Sequence, residues 1–376
     1  MSDRIHEFLR TVRPDGPCLV VDLDIVRRNY RRFAQAMPDT RVYYAVKANP
    51  APEILNALAE LGSSFDCAST TEIEQVLATG ATADRISYGN TIKKERDVAR
   101  AYELGVRLFA VDCEEEVDKI ARSAPGSKVF CRILYDSGTA EWPLSRKFGC
   151  APEMAIDVLE HAQRSGLVAH GVSFHVGSQQ PDTESWNGAL GAAAMVFRTL
   201  GERGIQLKMV NLGGGFPTRY LKEIPTVRNY AMSISRALRQ HFGNRIPETI
   251  IEPGRGMVGD AGIIKTEVVL ISRKSADDDT RWVYLDIGKF HGLAETMDEA
   301  IRYPIRTPRD GGPTAPTIIA GPTCDSADVL YEKTPYELPV SLTIGDELLI
   351  EGTGAYTSMY SSVGFNGFAP LRSFVI

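Results

Sequence analysis

From about residue 40 to residue 255 one pattern recurs eight times: a short β-branched or aromatic run, then an amphipathic segment. The runs are VYYAVKA, SFDCAS, ISYGN, RLFAVDC, KVFCRIL, GVSFHVG, MVNLGGG and TIIEPG. Between them lie segments such as APEILNALAELG, STTEIEQVLATG, KKERDVARAYELG and APEMAIDVLEHAQRSG. Their apolar residues recur at helical spacing, and glycine stops several of them. Strand alternating with helix dictates parallel pairing, because parallel neighbours need a crossover of roughly a dozen residues or more. Eight such units close into a (β/α)8 TIM-like barrel, and roughly 230 residues suit that fold. A doubly wound open sheet is the competing architecture.

A chain of 376 residues exceeds one ordinary compact core, and its last hundred residues change texture. TEVVLISR, RWVYLDIG, PTIIAGPTC, PVSLTIGDELLIEG and FVI are short β-branched runs separated by Gly, Pro and Asp. CLVVDL, ahead of the first barrel helix, has the same texture and is expected to join the C-terminal sheet. The expected fold class is therefore α/β, with the barrel at 23–260. A second all-β domain, sandwich-like or barrel-like, takes 1–22 and 261–376. RTPRDGGPTAPT reads as a loop.

Composition narrows the partners. Net charge is -6 and no long basic block occurs, which argues against nucleic acid or an anionic membrane. RRNYRR sits among Leu23, Val26, Tyr30, Phe33 and Met37 at helical spacing, so its arginines form the wet face of a helix. No apolar run approaches the ~20 residues of a membrane span, and MSDRIHEFLR lacks an apolar signal core. Cys18, Cys67, Cys113, Cys131, Cys150 and Cys324 are scattered without metal-like pairs. The expectation is a reduced, cytoplasmic protein with no metal.

Barrel enzymes place their chemistry at the C-terminal strand ends. Those ends carry Lys47, Asp66 with Ser69, Asn90, Asp112, His175 with Ser178, Gly213-Gly214-Gly215, and Glu252 with Gly254 and Arg255. NLGGGFP alone is a flexible loop or a backbone cradle for phosphate; EPGRGM beside it favours phosphate. A lone histidine is most often a satisfied core residue, but small residues follow His175 and leave one ring face open. Many strands end on a solvated lysine. Lys47 in such a mouth is instead expected to be desolvated, which favours the neutral amine that condenses with an aldehyde. A phosphate nest, an amine, a flat-faced histidine and a carboxylate together point to pyridoxal 5′-phosphate: Lys47 for the aldehyde, His175 for the ring, Glu252 for the pyridine nitrogen.

YYAVKANP, FDCASTTEIE, GVSFHVGSQ, NLGGGFP, IEPGRGMV, GPTCDSADVL, GTGAYT and FNGF, in this order from residue 43 to 368, resemble the fold-type III pyridoxal-phosphate decarboxylases. The likeness is greatest to the ornithine decarboxylases. It implies an alanine-racemase-like architecture of barrel plus β domain, in an obligate homodimer with shared active sites. It also implies Lys47 as the covalent anchor and Glu252 as the pyridinium partner. His175 would stack on the ring, while Ser178, Gly215, Arg255 and Tyr356 would hold the phosphate. Asp66 and Glu72 would be acids near the cofactor. Across the dimer, Cys324 would protonate Cα and Asp325 would grip the substrate's distal ammonium, with Phe365 beside that pocket. Pro143 stands where eukaryotic relatives carry arginine, with Arg146 or Lys147 as a compensating charge. Glu295, Asp298 and Glu299 are the candidates for a second acid, and spacing to Cys324 favours Glu299.

The expected activity is decarboxylation of a small cationic amino acid: L-ornithine to putrescine, with L-lysine to cadaverine also open. Diaminopimelate, arginine and carboxynorspermidine decarboxylases are the alternatives within the reaction class. A racemase in this fold class pairs the pyridine nitrogen with arginine, so Glu252 argues against it. A non-catalytic homologue would be expected to lose Lys47, Glu252, Cys324 or Asp325, and all four are present.

Overall fold

The computed structural model describes residues 3–135, 138–141 and 147–376. The chain divides into two compact units: residues 27–217 with 224–257, and residues 1–26 with 218–223 and 258–376. The short segment 218–223 inside the barrel sequence groups with the second unit, a division that sequence texture does not announce.

The larger unit is a closed parallel barrel. Its strands are β2 (Thr40–Ala45), β3 (Ser64–Cys67), β4 (Ile86–Tyr88), β5 (Leu108–Val111), β6 (Lys128–Arg132), β7 (Val168–Ser173), β8 (Met209–Asn211) and β9 (Glu248–Ile251). Each pairs with its neighbour, and β9 returns to β2 through Thr40 opposite Thr249. Among the described residues the strand order is thus the sequence order, and the open-sheet alternative falls away. Tyr43, Ala110, Phe130, Met209 and Ile250 meet inside. Burying a side chain such as Phe130 contributes about 1.5–3 kcal/mol. The crossover helices bury one face each; helix Pro152–Arg164 buries Ala155, Ile156, Val158, Leu159 and Ala162. Gly105, at φ 95°, takes the left-handed turn after helix Glu95–Glu103.

The smaller unit is a mixed sheet built from β1 (Cys18–Val21), β10 (Gly262–Ser272), β11 (Arg281–Leu285), β12 (Ile305–Arg306), β13 (Thr314–Ala320), β14 (Val329–Pro339), β15 (Glu347–Glu351) and β16 (Arg372–Val375). The order is β12-β15-β10-β11-β13-β14. β1 lies between β10, antiparallel, and β16, parallel, so CLVVDL joins the C-terminal sheet as expected. Helix Asp3–Val12 adds Ile5, Phe8 and Leu9 to a cluster with Cys18, Val20, Ile263 and Phe374.

Two local departures matter. The first run is strand only to Ala45, after which Val46–Ala48 turns as a 3-10 helix. VSLTIG is a turn rather than a strand, and the preceding VLYEKTPYELP supplies the long strand β14 instead.

Candidate active site

Because all eight strands run parallel, their C-terminal ends share one mouth. The 3-10 turn carries Lys47 beyond the ladder, and the residue is exposed. The expected desolvation of Lys47 is therefore not met in this chain: the turn lifts the residue off the strand into the opening. Its ammonium still acts on Asp66, Glu72 and His175 electrostatically.

Asp66, on β3, is the most perturbed acid of the mouth. Burial raises its pKa well above the usual carboxylate range, and Glu252 raises it further; Lys47 pulls the other way, Glu72 adds to the rise and Arg132 offsets it. Its Oδ1 accepts no hydrogen bond among the described residues. The carboxyl occupies space that a Cβ at Gly89 would fill. A group with a raised folded pKa stabilises the fold fully below the unfolded value, ~3.9, and loses that contribution as pH rises through the folded value. Asp66→Asn should therefore raise Tm at neutral pH and give no such gain near pH ~3.5; calorimetry across that range checks it.

Glu72 serves the opening of helix Thr70–Leu77. Its carboxylate accepts the Ala68 N–H at 2.6 Å while its own N–H donates to Ser69 Oγ at 3.2 Å. Burial raises its pKa, with the Ala68 hydrogen bond and Lys47 in opposition.

After β7, His175 accepts the Gly177 N–H on Nδ1 at 3.0 Å, which leaves Nε2 to carry the ring proton. Burial, then Arg132 and Lys47, push its pKa well below the usual histidine value, so the ring is neutral. A Cβ on Gly214 would sit 3.1 Å from Nε2 and 2.7 Å from the Glu252 carbonyl oxygen. Glycine there keeps that side of the ring clear.

The turn Gly213–Gly215 follows β8. Gly213 donates to Asn211 Oδ1 at 2.9 Å and accepts the Glu252 N–H at 2.8 Å. Its φ of 67° is left-handed, and a Cβ would collide with the Phe174 carbonyl oxygen. Gly213→Ala should cost about 1–3 kcal/mol, read as a lowered denaturation midpoint with an unchanged m-value. Glu252, one residue past β9, accepts from the Asn211 side-chain amide. Two residues on, Gly254 bends the chain and Arg255 opens helix Arg255–Val258. The Arg255 guanidinium is buried and donates to Ser178 Oγ at 3.3 Å from Nη2 and 3.4 Å from Nε.

Two members of this mouth escape sequence reasoning. Arg132, closing β6, feels the charges of Glu252, Asp66 and Asp112 and lies 5.2 Å from the centre of the Phe148 ring; burial lowers its pKa. Its position at a strand end equivalent to that of Lys47 was the available signal, but an arginine closing a strand usually reads as solvated. Asn211, buried on β8, orients Glu252 and carries no motif of its own.

Lys47, Asp66, Glu72, His175, Ser178, Gly213, Gly214, Gly215, Glu252, Gly254 and Arg255 all lie in the barrel unit; Cys324, Asp325, Asp298, Glu299, Tyr356 and Phe365 lie in the other. Cys324 and Asp325 are exposed neighbours in the turn between β13 and β14. Phe365 packs on Phe290, with ring centres 4.8 Å apart. Tyr356 adopts a left-handed φ of 55°.

Glu299 is placed differently from the expected substrate contact. Its Oε1 accepts backbone N–H groups of Glu332 at 2.7 Å and Lys333 at 2.5 Å, and Oε2 accepts Thr334 N–H at 3.2 Å. Arg302 donates to Oε2 at 2.8 Å. The β13–β14 register breaks here, between Tyr336 opposite Thr317 and Tyr331 opposite Ile319, and Glu299 satisfies the donors that this irregularity strands. Asp298 is exposed and pairs with Lys333 at 3.1 Å, and Glu295 is buried. Pro143 and Arg146 lie outside the described residues; Lys147 stands 4.9 Å from the centre of the Phe148 ring.

An unpartnered buried carboxyl oxygen, a glycine turn with no room for a Cβ, and a buried guanidinium converging with Ser178 suit a flat ligand that carries a phosphate. The family model described as "Pyridoxal-dependent decarboxylase, pyridoxal binding domain" matches residues 23–259. The lysine/ornithine decarboxylase of Selenomonas ruminantium is 36% identical over 357 residues, 94% of this chain and 87% of that protein. The lysine/ornithine decarboxylase of Vibrio vulnificus, solved with cadaverine, superposes with a TM-score of 0.89 at 31% identity, covering 100% of this chain and 99% of the other. The Paramecium bursaria Chlorella virus arginine decarboxylase, solved with agmatine, gives 0.91 at 26% identity and covers 100% of both chains. Among the described residues no helix is long and apolar enough to cross a membrane. The chain belongs to the pyridoxal-dependent decarboxylases: it is a carbon–carbon lyase that uses pyridoxal 5′-phosphate to decarboxylate a basic amino acid.

Proposed function

We propose that the substrate is a diamino acid with a terminal ammonium, L-ornithine first and L-lysine second, giving putrescine and cadaverine. The observation that carries this reading is the pairing of an exposed thiol, Cys324, with an exposed carboxylate, Asp325, on one turn. The thiol delivers a proton to Cα, and the carboxylate holds a cation several bonds away. Relatives named for lysine and ornithine support the choice.

The residues that would hold the cofactor are Lys47 at its aldehyde carbon, Glu252 at its ring nitrogen and His175 at its ring. Ser178, Gly213, Gly214, Gly215, Gly254, Arg255 and Tyr356 would hold its phosphate. When bound, the cofactor supplies a sink for the electron pair left at Cα as CO2 departs. Asn211 keeps the Glu252 carboxylate fixed, while burial first and Glu252 second raise the pKa of Asp66, which limits the negative charge gathered beside the ring nitrogen. The neutral His175 ring adds no cation to compete with it. Glu299 fixes the turn that carries Asp298, the second acid we place toward the distal ammonium.

The working unit in this reading is a homodimer in the cytoplasm. The Cys324–Asp325 turn of one copy, with Phe365 beside it and Val363 and Phe368 exposed nearby, serves the barrel of its partner. CO2 release from ornithine, lysine, arginine and diaminopimelate, measured side by side, tests the substrate. Ornithine or lysine should dominate; faster turnover of arginine or diaminopimelate would sink the choice. Scrambling at Cα without CO2 release would point to a racemase instead.

A further inference from the structure

Asp328 is a buried carboxylate three residues beyond Asp325, and the substrate reading gives it nothing to do. Its Oδ2 accepts both the N–H of Thr323 at 3.2 Å and the Thr323 hydroxyl at 2.7 Å. Its Oδ1 accepts the Lys289 N–H at 2.7 Å. Its own backbone closes the loop: Asp328 N–H donates to the Asp325 carbonyl at 3.0 Å, and Gly321 N–H to the Asp328 carbonyl at 2.8 Å. Glycine at 288 and at 321 makes the cradle, since a Cβ on either would collide with the carboxylate.

A second tie reaches the same turn from another loop. Asn366, left-handed at φ 51°, accepts the Cys324 N–H on Oδ1 at 2.8 Å. The preceding residue, Phe365, packs on Phe290, which directly follows Lys289. Ser362 N–H donates to the Phe290 carbonyl at 2.7 Å. The contacts therefore form a circuit: Asp328 to Lys289, Phe290 to Phe365, Asn366 to Cys324. Three loops are closed around an otherwise exposed turn.

We propose that Asp328 and Asn366 are positioning residues that brace the Cys324–Asp325 turn, so that thiol and carboxylate present a fixed spacing to the substrate. The role rests on the reading of Cys324 as proton donor and Asp325 as ammonium ligand. A bare turn of four exposed residues, Cys324 to Ala327, would sample many geometries, and each misplacement lowers the fraction competent to react.

The test uses the full-length, cofactor-loaded enzyme. Asp328→Ala should speed hydrogen exchange at the Thr323 and Lys289 amides about 10- to 100-fold, the effect of losing hydrogen bonds to a charged acceptor. kcat should fall by a similar factor while the cofactor, whose proposed ligands other than Tyr356 lie in the barrel unit, keeps its affinity. Asn366→Ala should speed exchange at Cys324 and change its alkylation rate; Asn366→Asp, which retains the acceptor oxygen, should restore both. If Asp328→Ala fails to fold, the Asn366 pair and Asp328→Asn carry the same test. Unchanged exchange and alkylation, or unchanged kcat despite faster exchange, would overturn the brace. Wild-type protein inert on every basic amino acid would overturn the functional reading, and the exchange rates would still decide the brace.

Discussion

Replacing Glu252 with glutamine should leave a folded, cofactor-binding protein whose kcat is lower by about 10²–10³-fold, the scale of losing one preorganised electrostatic group. The fold is expected to survive because glutamine keeps an oxygen for the Asn211 amide, and the Glu252 N–H still reaches the Gly213 carbonyl. What disappears is the carboxylate proposed to meet the ring nitrogen. Asp66 cannot replace it readily: burial is the first cause of its raised pKa, and burial remains when Glu252, the second cause, is gone. Removing that second cause does lower the Asp66 pKa, so the variant's residual activity should recover partly toward higher pH. Single-turnover CO2 release against pH, with cofactor absorbance as the occupancy control, measures both effects. A loss under about tenfold would contradict the role given to Glu252.

The second large effect is expected at Asp325. Losing the partner of a buried charge pair costs about 2–5 kcal/mol, or about 30-fold to a few thousand-fold in substrate affinity. The side chain is exposed in the single chain, so the upper end applies only where a second copy covers the turn. Asp325→Ala also removes the acceptor of the Ala327 N–H, a 2.8 Å bond that shapes the turn. Asp325→Asn keeps that acceptor and removes the charge, so comparing the two separates geometry from electrostatics. If ammonium recognition is the role, both variants raise KM for ornithine far more than for an analogue that ends in a methyl group. Equal effects on the two substrates would remove Asp325 from recognition.

Much of this architecture is legible in the sequence. Alternation of β-branched runs with amphipathic segments dictates the barrel, because a parallel strand needs its crossover. Strand-end position then singles out Lys47, His175, Gly213 and Glu252 without a motif dictionary. The failures have physical causes. β14 contains Pro335 and the pair Glu332-Lys333, poor strand formers by propensity, and it persists because Glu299 and Arg302 satisfy its irregular stretch from another loop. Only tertiary contact shows that. The same contact moves Glu299 from the substrate list to a structural one. Lys47 looked like a strand residue because the apolar run continues through Val46, and a single 3-10 turn escapes any periodicity argument. Asn211 carries no local signature, since the carboxylate it holds belongs to Glu252, just past the next strand, and the reach of Asp328 to Lys289 in another loop is equally invisible in the sequence.

Strand β1 has a consequence for biosynthesis. Cys18 pairs with Lys265 on one side and with Arg372 on the other. β1 is translated before the barrel strands and must therefore wait unpaired until β10 emerges after them, and its second neighbour, β16, follows all the other described strands. Sheet completion becomes the late, slow step of maturation, with an apolar edge exposed to aggregation until then. Nascent chains arrested before residue 372 should retain a protease-resistant barrel while the leading segment stays cleavable.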